Sequence, residues 1–95
     1  MITHIVFFKL KVPSLDNIKK GAEVLKGLDG KIDVLKTLEV GTDLFHTERS
    51  FDIALTATFD SIEDLNTYRD HPEHLKVAEY IKEASIRVAS VDYES

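Results

Sequence analysis

The chain has 95 residues, 43% of them apolar, a net charge of −5 and no cysteine. One domain spanning residues 1–95 is expected, with a single core and too much apolar content for a disordered chain. Disulfides and thiolate metal sites are excluded by the missing cysteine, phosphate-led nucleic-acid binding by the lack of a basic cluster, and a membrane-spanning helix by the absence of any apolar run near the ~20 residues required. Met1-Ile2-Thr3-His4-Ile5-Val6 carries no basic flank or cleavage site of a signal peptide, so a cytoplasmic location is the expectation.

Residues 2–11, "ITHIVFFKLK", are β-branched and aromatic and are closed by Pro13, which predicts a strand. One face carries Ile2, His4, Val6, Phe8 and Leu10; the other carries Thr3, Ile5, Phe7, Lys9 and Lys11. Both faces hold bulky apolar groups, so both need cover. Ser14 is a suitable N-cap, and Leu15, Ile18, Ala22, Leu25 and Leu28 then recur at helical spacing along one face. Gly27 and Gly30 bracket the end of that helix.

"IDVLKTLEV", 32–40, alternates and predicts a second strand. After a polar loop, "FDIALTATF", 51–59, predicts a third, with Phe51, Ile53, Leu55, Ala57 and Phe59 on one face and Asp52, Ala54, Thr56 and Thr58 on the other. "SIED", 61–64, opens a second helix with Ser61 as its cap and acidic residues at the positive end of its dipole. That helix breaks before Pro72, because a residue preceding proline avoids helical angles, and restarts with Pro72 in its first position. Leu75, Ala78, Ile81 and Ala84 or Ser85 form the predicted inner stripe. "IRVASVDY", 86–93, predicts the last strand.

The order β-α-β-β-α-β, with the second helix in two pieces, predicts an α+β, ferredoxin-like fold: a four-stranded antiparallel sheet with helices on one face. The uncovered face would be a large apolar patch, and a second copy of the chain is the economical cover. A homodimer joined through the open sheet face is therefore expected.

Together, "THIVFFKLK", "SFDIALTATF", "SIEDLNTYRDHPEH" and "VASVDYE" resemble the stress-responsive A/B barrel domain, a family of dimeric α/β barrels. The resemblance runs in order over roughly residues 3–94. By likeness to a plant polyketide cyclase of that family, it implies a catalytic pair of His74 and Tyr68. It also implies a pocket to which His4, Asp52 and Asp92 contribute, Asp52 standing where the cyclase has a histidine.

Val6 and Phe8 share the face of His4, so the pocket would have mostly apolar walls with a few polar fixtures, as small-molecule sites do. A histidine exchanges protons near neutrality, and a tyrosine hydroxyl can polarise a carbonyl. Asp92 or Asp52 could orient the imidazole by accepting its other N–H. The implied function is cofactor-free acid–base chemistry of a cyclase or lyase kind on a small hydrophobic molecule. The alternative is a non-catalytic, stress-associated domain in which the same groups pair inside a filled core.

No metal is expected. His71-x-x-His74 lacks a third ligand at recognisable spacing, and His71, placed before Pro72, reads as a helix cap outside the helix. Neither nucleic acid nor a membrane is an expected partner.

Overall fold

A computed structural model describes residues 1–95, with β1 (Ile2–Leu10), α1 (Leu15–Lys26), β2 (Thr37–Thr42), β3 (Ile53–Phe59), α2 (Ile62–Asp70), α3 (Pro72–Ala84) and β4 (Ser85–Glu94) in chain order. The strands form one antiparallel sheet in the order β2-β3-β1-β4. This is the ferredoxin-like arrangement expected from the element order. The strand with two apolar faces, β1, lies inside the sheet between β3 and β4, which is where residues covered on both sides belong.

Register assigns the faces. His4 is opposite Ala57 on one side and Asp92 on the other, Val6 opposite Leu55 and Ser90, Phe8 opposite Ile53 and Val88. These residues share the face towards the helices, and Ile18, Ala22, Leu25, Leu28, Leu65 and Ile81 close the core above them. Gly21 brings α1 close to the sheet. A Cβ there would stand 2.9 Å from Ile53 Cδ1 and 3.4 Å from Ile81 Cδ1, so a larger residue would require those side-chain ends to move. The other face carries Ile5, Phe7, Val91 and Tyr93, with Phe7, Val91 and Tyr93 all strongly exposed. No helix covers it.

The helix ends follow local chemistry. Ser14 and Ser61 accept hydrogen bonds from the N–H groups of Asn17 and Asp64, both at 3.1 Å. His71 caps α3: its Nδ1 accepts from the Glu73 N–H at 3.1 Å, with Pro72 at the first position. The break in the second helix is therefore as expected, and so is the role of His71 within it.

Three expectations are corrected. The second strand begins at Thr37, not at residue 32: residues 32–36 form turns, with Leu35 N–H bonded back to the Ile32 carbonyl at 3.1 Å. Ile32 imitates a strand position because it packs into the core from a turn. The third strand begins at Ile53, and a bend at Asp52 breaks the alternation. Phe51 consequently lies beside Phe7 on the open face, ring centroids 5.8 Å apart, rather than beside Ile53. Leu75 is exposed, and the inner stripe of α3 runs through His74, Val77, Ala78 and Ile81. Ala78 and Ile81 lie inside as expected, but in the first turn a histidine rather than the leucine faces the interior.

Candidate functional site

The sheet is wider than its helical cover. Between α3 and the sheet, reaching out over β4, lies a cavity of about 420 Å³. Its floor is apolar, with Val6 and Phe8 from β1, Leu25 from α1, Leu28 just beyond it, Leu55 from β3, and Val77 and Ile81 from α3. Three polar side chains enter this wall: His4 from β1, Tyr68 from α2 and His74 from α3. Tyr68 sits between the two imidazoles, its ring centroid 6.1 Å from that of His4 and 4.4 Å from that of His74. Behind it, Phe59 packs at 4.9 Å and fixes the tyrosine from the sheet side.

The break at His71-Pro72 creates this grouping. Tyr68 is in the last turn of α2 and His74 in the first turn of α3, and the extended backbone of His71 turns the chain so that both face the same space. An unbroken helix would keep residues 68 and 74 on different faces, since six residues is nearly two-thirds of a turn beyond one full turn.

Hydrogen bonding fixes which atoms remain free. His74 Nδ1 lies 3.0 Å from the Arg69 carbonyl, which can only accept, so Nδ1 carries the proton and Nε2 bears the lone pair. His4 Nδ1 is held by the Asp92 carboxylate, whose second oxygen accepts from the Arg69 guanidinium at 2.9 Å. Tyr68 is 1% exposed, and its hydroxyl makes no hydrogen bond to the rest of the chain. Burial pushes the Tyr68 pKa up to about 12, so it remains a phenol, and a donor, throughout the physiological range.

Burial lowers the pKa of His74, and the charges of His4 and Arg69 lower it further against the opposing pull of the Arg69 carbonyl. His74 is therefore a neutral base at neutral pH. The linkage has a definite sign. The unfolded imidazole takes up a proton first as pH falls below its ordinary value of about 6.5, which favours unfolding until the folded group also titrates. Urea midpoints taken at about pH 7.5 and about pH 5 should fall further for the wild type than for His74→Gln. Equal losses would show that His74 is not held neutral by the fold.

Of the residues expected at the site, His4, Val6, Phe8, Tyr68 and His74 line the one cavity. Asp92 stands behind it, and it orients His4 rather than His74. Asp52 is not part of it. Its N–H bonds to the Phe8 carbonyl and its Oδ2 accepts from the Leu10 N–H, both at 2.8 Å, so the carboxylate is consumed in closing the end of β1. It borders a groove on the open face beside Phe7 and Phe51. Arg69, Lys82, Val88 and Ser90 also line the cavity and were not read from the sequence. The neighbour relation of Arg69 to Tyr68 was a usable signal; the placement of Lys82 depended on the phase of α3. No cluster of three or more His, Asp or Glu side chains is placed to hold a metal ion.

The molecule is thus a ferredoxin-like α+β protein with a ligand-sized, mostly apolar cavity between α3 and the sheet. The chain belongs to the stress responsive A/B barrel domain family, whose model matches residues 2–95. Among solved structures, a dimeric ferredoxin-like protein of unknown function from Bacteroides fragilis is 33% identical, with 99% of this chain and 95% of that one covered and a TM-score of 0.85. A second dimeric ferredoxin-like protein of unknown function, from Thermobifida fusca, is 26% identical over 99% and 90% of the two chains, with a TM-score of 0.87. The hydroxynitrile lyase from Passiflora edulis is 25% identical over 97% and 90%, with a TM-score of 0.83. No curated protein matches the chain. No helix is long and apolar enough to cross a membrane.

Proposed function

We propose that residues 1–95 form one domain that pairs with a second copy through the open sheet face and binds a small, mostly apolar carbonyl compound in the cavity. The domain moves a proton on that compound without a cofactor, and its cysteine-free sequence suits a reducing cytoplasm. The observation that carries this reading is the convergence of Tyr68 and a neutral His74 on an apolar space of about 420 Å³. The volume lies within the range of small-molecule sites, roughly 300–1,000 Å³.

The chemistry follows from the atoms left free. His74 Nε2 takes a proton from the carbon beside the carbonyl. The electron pair of that C–H bond moves to form the enolate, and the Tyr68 hydroxyl donates to the developing oxyanion. The enolate then attacks a second carbonyl, or recovers its proton from His74. His4, held by Asp92, faces the other side of Tyr68 and can position the ligand. Membership in a fold shared with a hydroxynitrile lyase supports an enzymatic use of the architecture.

Calorimetry with 1-octanol, a neutral probe that matches the apolar walls, tests the binding half of the reading. The wild type should bind it. Ala78→Phe, which places a ring in the cavity, should lose that binding with little change in thermal midpoint, since the added group enters existing space rather than a filled core. A wild type that does not bind octanol would remove the cavity as a ligand site.

A further inference from the structure

The cavity differs in character between floor and mouth. His4, Tyr68, Leu28 and Ile81 are buried, whereas Arg69, Lys82, Val88 and Ser90 are exposed and form the rim. Two of these four rim residues are cations, and no carboxylate lines the cavity at all. The rest of the chain runs the other way, with 17 acidic against 12 basic residues. Arg69 commits one nitrogen to Asp92 and keeps a side chain that is 44% exposed. Lys82 takes part in no ion pair. An acidic protein with a ligand-sized apolar cavity rimmed by an unpaired lysine and a half-exposed arginine draws anions to that opening, because a low-dielectric wall focuses the field of the rim charges.

The floor gives the complementary argument. A carboxylate at the bottom would lose its water against Leu28, Leu55 and Ile81 and would meet the lone pair of His74 Nε2, so burial there is unfavourable. An anion is favoured at the rim and disfavoured inside, and the apolar body of the same molecule has the opposite preference.

We infer that the ligand of this cavity is an amphiphilic carboxylate, its apolar body inside and its charged end held between Lys82 and Arg69. The inference rests on the cavity reading above and names the class of molecule that the cavity takes. It also orients that molecule: the carbonyl that meets Tyr68 and His74 lies at the end remote from the carboxylate, which makes a keto acid the fitting substrate.

The test compares sodium octanoate with 1-octanol by calorimetry at low salt. Octanoate should bind the wild type about fivefold tighter or more, as expected of charge-assisted contacts at partly exposed sites. Lys82→Met should remove most of that preference while changing octanol affinity less than about twofold, and Lys82→Arg should restore it. Because Lys82 is exposed, the fold does not depend on it. Octanol binding as tightly as octanoate, or octanoate binding unaffected by Lys82→Met, would overturn the anionic ligand and leave the cavity reading standing. Failure of 1-octanol to bind would overturn the cavity reading and this inference with it.

Discussion

Replacing His74 with alanine should cut the protein-catalysed exchange of the α-hydrogens of 2-octanone with D2O by about 10²–10⁴-fold, the usual contribution of a positioned general base. The ketone is a small, mostly apolar carbonyl compound and needs only the first half of the proposed chemistry, so the measurement does not require the natural substrate. Proton NMR follows the loss of signal beside the carbonyl. The expectation comes from three features that act together. The Arg69 carbonyl fixes the tautomer with Nε2 free, burial keeps the ring neutral, and the Tyr68 phenol, held protonated by its burial, packs beside the imidazole. Removing the imidazole leaves the phenol without a base. The fold should survive, because His74 is only half-buried and its one hydrogen bond goes to a carbonyl near a helix end, where water can replace it. Exchange at the wild-type rate in the variant, or no acceleration by the wild type, would remove the acid–base reading.

The second large effect concerns assembly. Ile5→Glu should convert a dimer into a monomer at micromolar concentration, as read by light scattering. Ile5 lies near the middle of β1 on the open face, opposite Thr56 and Val91, among Phe7, Val91 and Tyr93. In a two-fold interface the substitution enters twice and brings two carboxylates into one apolar patch. Burying each without a partner costs several kcal/mol, and each 1.4 kcal/mol is tenfold in the dissociation constant, so a loss of 100-fold or more is expected. Within the monomer the same side chain points away from the helices, and the subunit should still fold. A dimer that persists in the variant would show that the two copies meet elsewhere.

The two effects are separable in space. His74 and its cavity lie on the helix side of the sheet and Ile5 on the other, so Ile5→Glu should leave octanol binding intact.

Much of this architecture was legible in the sequence because it depends on neighbours along the chain. The His71-Pro72 break, the Ser14 and Ser61 caps and the two-faced apolar strand β1 are decided within a few residues, by proline sterics, capping geometry and side-chain alternation. The order of elements then left few topologies, and the ferredoxin-like sheet was the simplest.

The misplaced residues share a different cause. Along α3, Ala78 and Ile81 lie inside as expected, but the first turn offers two candidates for the inner side, Leu75 and His74. Hydrophobicity favours leucine, but with Val77 and Ile81 packed against the core His74, at three and seven residues before them, falls on the inner side. Asp52 kept its strand-like alternation in the sequence, yet the bend before Ile53 gave its carboxylate to the Leu10 N–H. Local pattern was enough for the order of the elements, the helix break and the residue types available for proton chemistry. Only the tertiary structure decided that Asp92 holds His4, from 88 residues away, that Arg69 ties the pair to α2, and that Lys82 reaches the same opening. Those contacts depend on strand register and helix rotation, which are settled by packing over the whole core and leave no local trace.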